Sequence, residues 1–224
     1  MLTSTISACL PQNPPPATAE ITQIPELFPQ SYYQQALLND KQVLRIDSNA
    51  SLITVIVRRA GLLARLGHDH VVASHDLQGW VDVNANRADL YFPLDKLVVD
   101  EPALRAEAGF SNALSAEAIA GTRNNMLYRV LDAERYPFVH IRASRRPDES
   151  SKLTVLITLH GTEKPYDVPV QTVVTPKGMT LSGSLSLKQS DYGVVPFSIL
   201  GGAMQVQDEI DLTFRIVASR IDQD

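Results

Sequence analysis

Three of the five histidines, His68, His70 and His75, fall within eight residues, and the first two flank Asp69 just after Gly67. Side chains two apart on an extended segment point to the same side, so His68 and His70 present two imidazoles together. Imidazole suits zinc, copper or iron. If the backbone turns at Gly67, Asp69 joins them in an open three-ligand set with a position left for water. Such a set can hold a divalent metal or serve a haem-dependent protein. His75 has the wrong parity to join His70 on a straight strand. The same residues satisfy a second arrangement without metal, a turn in which Asp69 accepts backbone N–H bonds and the imidazoles bond to carbonyls. Three ligands are an incomplete set and short His-rich patterns specify little, which weighs towards the turn.

Other constellations carry less. There is no Gly-x-Ser-x-Gly elbow and no phosphate-cradling Gly-x-x-x-x-Gly-Lys loop, and the single cysteine, Cys9, has no base near it in sequence. His140 alternates with Val139 and Ile141 and is expected to face outward beside Phe138; His160 immediately precedes a glycine turn. The expectation is a protein that is not an enzyme. Charge points the same way for partners: 20 Lys and Arg against 25 Asp and Glu, net -5, spread without runs, offer no footprint for nucleic acid. One cysteine excludes an intramolecular disulfide framework. No apolar run reaches the roughly 18 residues of a transmembrane helix.

The elements that must position these residues are strands. In 224 residues with 44% hydrophobic content, period two dominates, the mark of a strand with one buried face. Ile210, Leu212, Phe214, Ile216 and Ala218 form the clearest run, and Met179 to Leu187 another. Further runs are Leu153 to Leu159, Val139 to Ala143, Ile53 to Val57, Leu77 to Val83, Leu90 to Leu94 and Val168 to Val174. Eight short runs with no helix between each pair predict an antiparallel sheet, as a sandwich or a closed barrel. Closure removes exposed edges and favours the barrel. Residues 100–131, with Pro102, Gly109, Ser115 and Gly121 as punctuation, predict a short helical insert across an end or side of it. Residues 1–41, with Pro14 to Pro16, Pro25 and Pro29, read as a flexible Pro-rich arm with a short helical turn near Ser31 to Leu38. The folded domain is expected over residues 42–220.

Three segments of the second half, Arg135-Tyr136-Pro137-Phe138-Val139-His140-Ile141, Leu159-His160-Gly161-Thr162-Glu163-Lys164-Pro165 and Leu187-Lys188-Gln189-Ser190-Asp191-Tyr192-Gly193-Val194, resemble the YceI-like family in order and spacing. The resemblance extends over about Val43 to Ala218. It implies a mainly β fold, an eight-stranded antiparallel lipocalin-like β-barrel, in a family that is bacterial, mostly exported, and holds a polyisoprenoid or similar apolar chain. The implied function is non-enzymatic binding, transport or sequestration of a lipid of the polyisoprenoid or isoprenoid quinone type, with no cofactor required. Two features depart from the family pattern, the long helical insert and Leu62 to His70 in place of a simpler turn.

Eight strands enclose an interior that side chains fill or that holds one slim ligand. The inward apolar set is Ile53, Val55, Val57, Leu90, Phe92, Val139, Ile141, Val155, Ile157, Leu185, Leu187, Leu212 and Phe214. The same pattern specifies a filled barrel as well as a hollow one, in which case residues 100–131 are the contact surface of a protein-interaction module. Burying about twenty carbons at roughly 0.8 kcal/mol per CH₂ gives about 16 kcal/mol gross, against association costs of about 4 to 15 kcal/mol. Affinity then needs no head-group recognition. Ile6-Ser7-Ala8-Cys9 resembles the end of a bacterial lipoprotein signal, although Met1 to Cys9 is no complete signal peptide. A periplasmic location is expected by resemblance, a cytoplasmic one if no leader exists. Neither a free edge nor an apolar stripe is legible, so no oligomeric state is assigned.

Overall fold

The computed structural model describes residues 24–145 and 151–220. Its strands are β1 (Val43–Ile46), β2 (Leu52–Val57), β3 (Arg59–Ala60), β4 (His70–Ser74), β5 (Gln78–Asp82), β6 (Arg87–Pro93), β7 (Val98–Val99), β8 (Phe138–Ser144), β9 (Lys152–Leu159), β10 (Thr162–Thr175), β11 (Gly178–Lys188), β12 (Ser198–Ile199), β13 (Met204–Val206) and β14 (Glu209–Arg220). Every period-two run of the sequence forms a strand, because one face of each has aliphatic side chains to bury.

Three pairs of these strands each act as one stave with a break in the middle. β1 and β2, separated by a turn at 48–50, both pair with β14. β4 and β5 pair with β2 and β1 respectively, and β6 and β7 with β5 and β4. β6 then pairs with β8, and β8 through β11 follow in order to β14. The ring closes where Ile46 faces Ala218 and Ile53 faces Phe214. Eight antiparallel staves, closed on themselves, make the expected barrel, and closure leaves the long strands no free edge.

The helical insert caps one end. α2 (Pro102–Glu107) starts with Pro102 in its first turn, and α3 (Ala116–Asn124) is capped by Ser115, whose Oγ accepts from the Ala118 amide at 3.2 Å. Gly121, expected as a stop, lies inside α3. The chain continues through it into a π turn, 125–130, that buries Leu127 against the barrel.

Residues 24–41 do not behave as an arm. α1 (Gln30–Leu38) lies on the outer wall, its Tyr33 buried and its hydroxyl donating to Asp89 Oδ2 at 2.7 Å, while Tyr32 donates to Asp82 Oδ2 at 2.8 Å. Arg87 and Arg142 complete the shell of Asp89. Burial pushes the Asp89 carboxyl up, but hydrogen bonds from Arg87, Tyr33 and Arg142 outweigh it and hold it below the usual carboxylate range. Aromatic residues with polar tips, not visible as a strand or stripe, anchor this segment. Residues 1–23, with Cys9 and Pro14 to Pro16, lie outside the described residues.

Candidate functional site

The inward faces of the staves enclose void space. One cavity, of about 220 Å³, lies towards the helical end. A second, of about 160 Å³, lies towards the opposite end. Each far exceeds the roughly 10–15 Å³ that one water needs. Ile53, Ile157 and Leu212 line both, so the two cavities meet at the waist of the barrel. Val55, Val57, Phe92, Val139 and Leu187 line the first; Leu90, Ile141, Val155, Leu185 and Phe214 line the second. Each of the thirteen inward apolars therefore lines one or both of these cavities. The barrel is not packed solid.

Several lining residues escaped the alternation. Leu97 sits at the break between β6 and β7, Met126, Val130 and Leu131 on the π turn and just after it, and Phe197 and Val206 around the short sheet β12–β13–β3. None has period-two neighbours on a long strand. The one available signal was the apolar content of residues 126–131. The polar residues around the first cavity are His70, Ser74, Thr122, Asn125 and Gln189, of which Ser74 stands opposite Ile53 at the waist, and those around the second are Asp82, Asn86, Arg87 and Arg145.

The His-Asp-His segment is not assembled as a ligand set. His70 Nδ1 lies 2.6 Å from Asp100 Oδ2, a carboxylate that also accepts from the Val71 amide at 3.1 Å and from Arg105 Nη1 at 2.6 Å. Burial pushes the Asp100 carboxyl up, but the hydrogen bonds from His70, the Val71 amide and Arg105 outweigh it and hold it below the usual range. An ionised carboxylate only accepts, so Nδ1 carries the proton. Asp69 accepts from the Arg59 amide at 2.8 Å, and His68 is exposed. Two of the three expected ligands are thus spent on holding the loop, and among the described residues no group of three metal-ligating side chains is placed to hold an ion. The turn arrangement holds for Asp69, whereas His70 bonds a carboxylate and not a carbonyl.

His140 faces the outer wall as expected, where it lines a cavity of about 110 Å³ together with residues 27–29, and burial lowers its pKa. The Ser190–Tyr192 turn ends at Gly193, whose φ of +71° suits a residue without Cβ.

Residues 70–218 match the model of the YceI-like domain, about two thirds of the chain. The chain belongs to the YceI-like family. Two solved structures show the same fold. One is a polyisoprenoid binding domain from Saccharophagus degradans implicated in plant cell wall breakdown. It is 12% identical with a TM-score of 0.58, the match covering 80% of this chain and 98% of that one. The other is Burkholderia cenocepacia BcnA, 16% identical with a TM-score of 0.51, covering 78% and 99%. No curated protein sequence matches significantly. No helix among the described residues of this YceI-like chain is long and apolar enough to cross a membrane.

Proposed function

We propose that this YceI-like protein binds one long apolar lipid, of the polyisoprenoid or isoprenoid quinone type, in its lumen and carries or sequesters it without chemical change. The observation that carries this reading is the pair of apolar cavities meeting at Ile53, Ile157 and Leu212. Aliphatic walls reward the burial of hydrocarbon and impose no directional bond on it. Of the polar groups around the first cavity, His70 is engaged by Asp100, and Gln189 Nε2 donates to the Gln207 carbonyl at 2.8 Å. Binding is therefore the chemistry this interior suits. The name of the Saccharophagus domain supports the choice of ligand class, and a periplasmic location belongs to the same proposal.

Organic extraction of the purified protein followed by mass spectrometry tests it. The expected result is about one polyprenyl-type lipid per chain, lost in an Ile157→Trp variant that keeps its circular dichroism spectrum, because the larger side chain blocks the waist. Wild-type protein that holds no such lipid, and takes up none when offered, would sink the proposal.

A further inference from the structure

The loops at the helical end turn apolar side chains outward as well as inward. β3 pairs with β13, and β13 with β12, so residues 58–68 and 193–206 form a single flap on the rim. The flap is tightly built. Leu63 donates its amide to the Ala203 carbonyl at 2.8 Å, and at Gly61, with φ of +91°, a Cβ would stand 2.5 Å from the same oxygen. Leu200 holds a left-handed φ of +53°, a conformation that costs a non-glycine residue.

That construction leaves large apolar groups in solvent. Leu62 is 94% exposed, Val195 78%, Leu200 67% and Leu66 61%. The other side of the flap belongs to the lumen, since Phe197 and Val206 line the first cavity. A further cavity of about 100 Å³ between the flap and His68 shares His70, Phe197 and Val206 with it and reaches Ile199. Apolar surface therefore runs from the lumen, beneath the flap, to its outer face.

Charge on the flap opposes that of the chain as a whole. Residues 58–68 contain three arginines and no acid, and residues 193–206 contain no charged residue, in a chain of net charge -5. Arg58 pairs with Asp211 and Arg59 with Asp69. Arg65, exposed between Leu62 and Leu66, makes no ion pair among the described residues. Nor does exposed Arg129, which lies over the Phe197 ring at 5.2 Å beside a half-exposed Tyr128. Projecting leucines, an interfacial tyrosine and free arginines are the composition that settles at the boundary of an anionic bilayer. A bilayer accepts such separate projecting side chains without a shape-matched partner.

We infer that this flap docks on an anionic lipid bilayer and that a lipid tail passes beneath it between membrane and lumen. The docking stands on the flap alone; the passage of a tail rests on the proposed function. Two assays on the full chain separate them: co-sedimentation with phosphatidylethanolamine–phosphatidylglycerol or pure phosphatidylcholine vesicles, and uptake of a detergent-solubilised fluorescent polyprenol. The wild type is expected to sediment with the anionic vesicles. A Leu62→Ser/Leu200→Ser variant should bind them at least tenfold more weakly, and Arg65→Glu/Arg129→Glu should abolish the preference for anionic lipid, at about fivefold per arginine. Both variants should take up the solubilised polyprenol as the wild type does. Absent vesicle binding, or binding unchanged in the variants, overturns the docking. So does a wild-type dimer in analytical ultracentrifugation that Leu62→Ser/Leu200→Ser dissociates without any vesicle binding, which would make the flap a contact between copies. Failure of polyprenol uptake by the wild type alone would instead strike the proposed function.

Discussion

Strands β5 and β6 show two opposite solutions on their two faces. Inward, Val81 and Leu90 border void and other aliphatic groups. Outward, Asp82 and Asp89 are buried under α1, with tyrosine hydroxyls at 2.8 and 2.7 Å and arginines close by. The outer patch is specific, because a buried carboxylate must have each of its oxygens answered. The lumen is permissive, because dispersion and the hydrophobic effect have no direction. One chain thus joins a precise polar clasp outside to an interior whose walls impose no directional bond.

A charge placed on the wrong face tests that contrast most severely. Leu212→Lys puts an ammonium at the apolar waist with no carboxylate to pair it, and is expected to cost about 3–5 kcal/mol in urea unfolding, as an uncompensated buried charge does. A cost near zero would mean a wet lumen. On the outer wall, Tyr33→Phe removes one hydrogen bond to a carboxylate that keeps its two arginines. A loss of about 1.5–3 kcal/mol is expected, read as a lower thermal midpoint with the barrel's far-ultraviolet spectrum intact.

The smallest effect is a pH dependence at the edge of the same patch. Burial lowers the pKa of His140, so the unfolded chain takes up a proton at a higher pH than the folded one. The stability this neutral imidazole contributes is complete above its ordinary value of about 6.5 and is lost as pH falls from there towards the folded value. Unfolding followed from pH 7.5 to 5 should show a decline that His140→Gln flattens; parallel curves for the two proteins would refute it.

Thirteen lumen residues were legible because each sits in a strand whose alternation says which way it points. Met126, Leu131, Phe197 and Val206 were not, since a π turn and short rim strands carry no such period. The spacing of His68, Asp69 and His70 could not by itself choose between a ligand set and a turn, for a related reason. That spacing is local, while the partner that decides His70 is Asp100, thirty residues away. The docking of Tyr33 on Asp89 spans 56 residues and left no local trace either.

Period-two patterning is a property of neighbours along the chain, so the amino-acid order alone specified a one-sided sheet, its eight staves and the greasy face they share. Whether that face would be filled, what would cover its end, and which histidine would meet which carboxylate depended on segments far apart in sequence coming together. Side-chain volumes and pairings across such distances are set only when the ring closes, and there the tertiary structure decided.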